Sequence, residues 1–214
     1  EGVAALDAGL AVSTQAAEFG EAFPDRFFNV GAAEANMMSM ACGLAATGKV
    51  PYASTFAIFA AGRAYDQVRL GIAHNELKVR IGASHGGVWL GEDGASHQMI
   101  EDIALMRAMP KMTVVVPADY NQAYRAMLDS YESDEPMYMR FGRPATPVVY
   151  EDVPETMGHG VDILREGKDI SLIATGHMVW RALEAAESLE AEDGVEAEVL
   201  NVSIVKPIHS EAVL

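Results

Sequence analysis

Short apolar, β-branched runs alternate with helical stretches along this chain, and that alternation narrows its fold more than any other feature. Val3–Asp7, Arg26–Val30, Val50–Thr55, Lys78–Ser84, Met112–Val116 and Pro136–Arg140 read as strands. Glu34–Thr47, Ala57–His74, Gln98–Met109 and Asn121–Tyr131 read as helices between them. Strand and helix in regular order predict an α/β fold, a parallel sheet with helices on both faces, because a parallel partner is reached only by a crossover. Asp119 stands where the helix near Asn121 needs a cap, and Pro110 and Pro117 punctuate its neighbours. Ligands of open α/β sheets settle at the carboxyl ends of strands, so the loops at 31–34, 55–59, 85–97 and 140–143 are where chemistry belongs.

The pattern breaks at Arg143-Pro-Ala-Thr-Pro147, and the proline- and acid-rich segment through Pro154 reads as a linker. Residues 1–150 are therefore expected to form one domain and residues 151–214 part of a second. The second holds strands at Gly160–Leu164, Ile170–Thr175 and Val195–Val202, a helix at His177–Glu192, and a helix opening after Lys206. With so few elements it reads as truncated, and a chain that starts at Glu1 reads as a fragment. Fifteen basic against 31 acidic residues give a net charge of −16, which repels phosphate backbones and argues against a nucleic-acid partner. No apolar run approaches the ~18 residues of a membrane span, and no basic, apolar leader stands at the start. The single cysteine, Cys42, lies in an apolar stretch, which suits a buried thiol in a reducing cytoplasm.

The densest polar cluster runs from Ser84 to Gln98, Ser-His-Gly-Gly-Val-Trp-Leu-Gly-Glu-Asp-Gly-Ala-Ser-His-Gln. Its glycines let backbone approach a ligand, while His85, Asp93 and His97 can exchange hydrogen bonds with hydroxyls and anions. As a plain surface loop, the same segment would use Ser96 as a helix cap and Asp93-Gly94 as a turn. Two histidines separated by eleven residues, with the cysteine far away, do not make a zinc pattern. Glu34 opens a nearly all-apolar helix. Either it complements the helix dipole, or it is a desolvated carboxyl of raised pKa that can hold or hand on a proton. Phe56 and Phe59 are either the core face of a helix or the wall of a pocket for a flat cofactor ring. Arg140 and Arg143, at a strand end, suit a bidentate grip on an anion or ordinary surface ion pairs. The dinucleotide fingerprint, Walker loop, G-x-S-x-G elbow and Cys-x-x-Cys pair are all missing, which disfavours nucleotide hydrolysis and serine chemistry.

Four segments together carry a family resemblance: Phe23-Pro-Asp-Arg-Phe-Phe-Asn-Val-Gly-Ala-Ala-Glu34-Ala-Asn-Met, Arg63-Ala-Tyr-Asp-Gln-Val68, Gly91-Glu-Asp-Gly-Ala-Ser-His-Gln98, and Arg107-Ala-Met-Pro-Lys-Met-Thr-Val-Val-Val-Pro-Ala-Asp119. Over essentially its whole length the chain resembles transketolase, in its pyrimidine-binding domain and the start of its C-terminal domain. It is most similar to the C-terminal subunits of split archaeal and bacterial transketolases. The resemblance implies thiamine diphosphate as cofactor and transfer of a two-carbon ketol unit between sugar phosphates. By position, Glu34 would hydrogen-bond the aminopyrimidine ring, with Phe56 and Phe59 against it. Ser13, His85 and Arg140 resemble sugar-phosphate ligands, Asp93 a reader of an acceptor hydroxyl, and His97 a contact to the donor, so that Glu34, His85 and His97 form the catalytic set.

The sequence also departs from the family. Gly9 stands where an acid is usual, and Gly62 where many members place a third aromatic ring. No Gly-Asp-Gly followed by a distant asparagine occurs, and that is how the family holds Mg²⁺ and the diphosphate. The resemblance thus implies that the metal ligands lie on a separate N-terminal subunit and that the active site forms in a homodimer or two-plus-two heterotetramer. Two other readings stay open: a deoxyxylulose-phosphate synthase-like enzyme, and a non-catalytic regulatory subunit of a transketolase complex, the latter suggested by Gly9 and Ala35.

Overall fold

The structure, a computed structural model, describes residues 2–214; Glu1 lies outside the described residues. Contacts divide the chain into two units that interleave in sequence. The first holds residues up to Val114 together with Tyr131–Pro144, and the second holds Val115–Ser130 together with Ala145–Leu214.

In the first unit, β1 (Val3–Asp7), β2 (Phe27–Asn29), β3 (Val50–Phe56), β4 (Arg80–Ser84), β5 (Thr113–Val115) and β6 (Met137–Arg140) lie in the order β5-β6-β4-β3-β1-β2. The pairs β2/β1, β1/β3, β3/β4 and β4/β6 are parallel. A parallel sheet is buried on both faces, and Leu6, Ala53, Ile81, Ala83, Tyr138 and Met139 are accordingly sealed from solvent. The register sets Phe56 beside Ser84 and Ala83 beside Arg140, which brings the carboxyl ends of β3, β4 and β6 to one edge.

The flanking helices include α1 (Ala16–Ala22), α2 (Glu34–Ala46) and α3 (Asp102–Ala108). On α2 the buried positions are Glu34, Met37, Met38 and Ala41, one stripe at helical spacing. The expected helix over 57–74 is instead two wide π-helical stretches, Ile58–Arg63 and Gln67–Ala73. Amides there reach five residues back, Ala64 to Phe59 and His74 to Arg69. The apolar stripe Ala57, Ala60, Ala61, Ala64, Val68 and Ile72 is buried as its spacing predicts, but spacing does not report the hydrogen-bond pitch. Cys42 packs its Sγ against Gly71, where a Cβ would come within 2.7 Å, and burial pushes the thiol's pKa up. The expected helix from Gln98 starts only at Asp102, so Ser96 caps nothing; its hydroxyl pairs with the His97 ring at 2.9 Å. Helix α1 has no buried position, so no apolar stripe marks it in the sequence.

The second unit contains α4 (Tyr120–Glu132), β7 (Val161–Arg165), β8 (Ile170–Ala174), α5 (Met178–Asp193), β9 (Ala197–Val202), β10 (Ile204–Lys206) and α6 (Ser210–Val213). Its three-stranded sheet runs β7-β9-β8, antiparallel on the β7 side and parallel on the β8 side. Ala186 of α5 closes on Ala197 and Val199 of β9, and Gly194 ends the helix in the left-handed region. Asp119 caps α4 through the Gln122 amide at 2.9 Å, as the sequence predicts. Its other oxygen accepts the amides of Val149 and Tyr150 at 2.7 and 2.8 Å, so the linker-like stretch is pinned to α4. Gln122, Tyr150, Asp162 and Asn201 complete a polar network, with Asn201 donating to Gln122 at 3.0 Å and to Tyr150 at 2.8 Å. Tyr150 donates to Asp162 at 2.6 Å, and burial with that carboxylate holds its phenol pKa far above the ordinary value.

Candidate functional site

Three strand ends and the loops they launch build the site. Asp7, at the end of β1, accepts the Leu10 amide at 2.6 Å and the Thr14 hydroxyl at 2.9 Å, which folds the 8–15 loop back over the strand. Burial raises the pKa of the Asp7 carboxyl despite these bonds. Ser84 ends β4, and His85 follows it at φ +58°, a strained backbone for a residue with a side chain. The His85 ring stacks 3.7 Å from Phe56, and its Nδ1 pairs with Ser84 Oγ at 3.0 Å. Burial, together with the nearby charges of Arg143 and His97, pushes the imidazole pKa below its usual value, against the pull of Asp93. A cavity of about 520 Å³ opens here, with Ser13, Thr14, Phe56, His85, Asp93 and Arg143 on its wall.

Phe56 and Phe59 lie nearly parallel, 5.9 Å between centroids, and His97 meets both edge-on at 6.2 and 5.5 Å. Glu34 is buried, but it does not stand alone as the desolvation argument expected: Arg63 Nη1 donates to its Oε2 at 2.8 Å. The same guanidinium lies over the Phe59 ring, 4.3 Å from its centre. A buried carboxylate is tolerated when a cation and hydrogen bonds compensate it, and Arg63 supplies both. Because half of the Arg63 side chain is exposed, it can leave without unpacking the core.

Arg140 departs from expectation. It turns away from the cavity, and Nε donates at 2.8 Å to Asp102, a carboxylate with no solvent exposure. Tyr138 donates to the same oxygen at 3.0 Å, and burial with that charge drives the phenol pKa well up. Arg140 lies so close to Gly86 that a Cβ there would come within 2.6 Å of its Nε. The Gly86–Gly87 backbone passes through this gap and pairs with Phe141 and Met99.

Ser13, Phe56, His85 and Asp93 thus share one cavity, Phe59 and His97 join through the ring cluster, and Glu34 joins through Arg63. Sequence reasoning passed over Arg63 and Asp102. The available signal was one charge on an otherwise apolar helical stripe: Arg63 sits four residues after Phe59, and Asp102 lies four before Met106 on the buried face of α3.

Comparison with known proteins accounts for this arrangement. Residues 1–148 match the transketolase pyrimidine binding domain, and residues 159–214 the transketolase C-terminal domain. This chain belongs to the transketolase family. Similar proteins include an inferred transketolase C-terminal section of Methanocaldococcus jannaschii, 46% identical over the whole chain and 68% of that protein. The 6-deoxy-6-sulfo-D-fructose transketolase subunit SqwH of a Clostridium species is 43% identical over 99% of the chain and 66% of its own length. A split-gene transketolase solved as an inactive beta4 tetramer superposes with a TM-score of 0.89 at 46% identity, over 98% of this chain and 68% of that one. The transketolase chain described here therefore spans about two thirds of such relatives. Among its described residues no helix is long and apolar enough to cross a membrane, and no three His, Cys, Asp or Glu side chains converge as metal ligands would.

Proposed function

We propose that this chain is the pyrimidine-binding half of a thiamine diphosphate-dependent transketolase that moves a two-carbon ketol unit between sugar phosphates. One observation carries the reading: a flat, hydrogen-donating group already lies on Phe59 and bonds the buried Glu34. An aminopyrimidine ring has the same two properties, so the seat of the Arg63 guanidinium fits the ring, with Glu34, Phe56 and Phe59 as its holders. When bound, thiamine diphosphate supplies the carbon nucleophile that the chemistry needs. The residues of this chain bind and orient. Glu34 presents its carboxylate oxygen to the ring and takes or returns a proton there, which is general acid–base work in a water-poor pocket. His85, neutral near pH 7 because burial lowers its pKa, offers donor and acceptor nitrogens to sugar oxygens, and His97 closes the same wall. Ser13 and Asp93 line the cavity where a sugar would lie, Asp93 as acceptor from an acceptor-aldose hydroxyl. Arg140 acts at one remove, fixing the Gly86–Gly87 turn through Asp102.

In this reading the diphosphate and Mg²⁺ are held by a separate N-terminal subunit in a two-plus-two assembly working in cytoplasmic pentose phosphate metabolism. The similar split-gene protein, described as an inactive beta4 tetramer, supports this. We retain 1–150 and 151–214 as the domains. Calorimetry of cofactor and Mg²⁺ binding, by this chain alone and then with an N-terminal subunit, tests the assembly: tight binding belongs to the mixture only. In that mixture Glu34→Gln should lower turnover by about 10²- to 10⁴-fold, and weaken cofactor binding far less. Near-normal turnover removes the reading.

A further inference from the structure

The cavity wall that carries Asp93 is short of backbone support. Between the end of β4 and α3 the backbone pairs at Gly86–Phe141 and Gly87–Met99, and past that pairing stands the tight turn Gly91–Asp93, closed by the Gly94 amide on the Gly91 carbonyl at 3.3 Å. A side chain from beyond the end of β6 ties that turn down directly. Arg143, three residues beyond the end of β6, donates from Nη1 to the Leu90 carbonyl and to Asp93 Oδ2 at 3.0 Å, and from Nη2 to Glu92 Oε1 at 2.9 Å. Leu90 is buried and anchors the near end of the turn. Gly91 turns the backbone at φ +70°, a left-handed conformation that favours glycine, and the guanidinium lies beside it at ordinary contact distance. A planar fork of donors can hold several acceptors in a fixed relation, which a lysine cannot do.

We propose that Arg143 is a positioning residue: it aims the Asp93 carboxylate into the cavity, and thereby sets which hydroxyl configuration of the acceptor aldose is taken. The proposal rests on the reading of Asp93 given above. It competes with a simpler role, in which Arg143 leaves the two carboxylates and binds the substrate's anionic end itself.

A double-mutant cycle in the assembled enzyme separates the two. Steady-state kinetics are run with acceptor aldehydes epimeric at the hydroxyl next to the carbonyl, phosphorylated and not, and the donor half-reaction is followed alone. Loss of a charge-assisted hydrogen bond corresponds to about a 10- to 100-fold change. Arg143→Gln should raise the acceptor KM about tenfold and shrink the preference between epimers, whether or not the acceptor is phosphorylated, while the donor half-reaction changes less. Arg143→Lys should recover part of the loss. In an Asp93→Asn background, Arg143→Gln should add less than about twofold. Amide exchange of residues 91–94 should quicken in Arg143→Gln at unchanged global stability. Multiplying effects confined to phosphorylated acceptors, or unaltered exchange in the turn, would overturn the proposal. Absence of ketol transfer by the wild-type assembly would overturn the underlying reading and this inference with it.

Discussion

Asp102→Ala tests how firmly the site is braced from behind. Oδ2 of Asp102 takes both Arg140 and Tyr138, while its Oδ1 is buried without a hydrogen-bond partner. Removing the carboxylate strands a guanidinium whose side chain is only 18% exposed, and leaves the fully buried Tyr138 hydroxyl without its acceptor. Breaking a buried pair from one side costs about 3–5 kcal/mol, and an orphaned hydroxyl about 1–3. Against this, the variant relieves the desolvation of Asp102 and its unpaired oxygen, which favours the low end. A net loss of about 3–4 kcal/mol lowers the thermal midpoint by about 6–16 °C for a chain of this size. Thermal unfolding followed by circular dichroism, with urea m-values to check that compactness is unchanged, measures it. Adding Arg140→Met should return more than half of the lost stability, because the stranded cation is the main cost. A midpoint drop below about 3 °C in the single variant, or a double variant less stable than the single, refutes the account.

Two further outcomes follow from the same geometry. Burial keeps the folded-state pKa of His85 below the ordinary imidazole value of about 6.5. Only the unfolded chain therefore binds that proton just below 6.5, so stability is whole above this pH and falls as the pH drops. Thermal midpoints at pH 7.5 and 5.5 should differ more in the wild type than in His85→Gln, and equal differences would dismiss the link. Gly86→Ala forces a methyl against Arg140, which Asp102 prevents from moving, and should cost about 1–3 kcal/mol. Gly43→Ala, in α2 with nothing within 4 Å, should instead stabilise by about 0.4–1 kcal/mol, so matching signs in denaturant titrations would refute the contact argument.

Sequence pattern reads best where burial alone decides. β1 matches its expected bounds, and α2, α4 and α5 match within a residue at each end, because their apolar spacing and the Asp119 cap are local signals. It reads less where hydrogen-bond geometry decides, as in the π-helical turns that share the burial stripe of an ordinary helix. The site divides in the same way. His85, Asp93 and Phe56 were legible because polar or aromatic residues beside glycines at strand ends point to a ligand. The partners of Glu34 and Arg140 were not, since Arg63 lies 29 residues from Glu34 and Asp102 lies 38 from Arg140. No local pattern announces which charge will meet which across such a separation.

The polar network around Gln122 sets an order of events during synthesis. Helix α4 leaves the ribosome before Tyr131–Pro144, the segment that completes the first unit, yet it belongs to the second. Its partners Asp162 and Asn201 follow Gln122 by 40 and 79 residues. At roughly 5–20 residues per second the helix waits about 4–16 s for Asn201, with its buried polar face unmatched. During that interval β1 to β6 can pair with one another across a gap in the sequence. A chain halted at Tyr150 would thus hold an unclaimed helix, and the moment at which the second unit closes is set by translation.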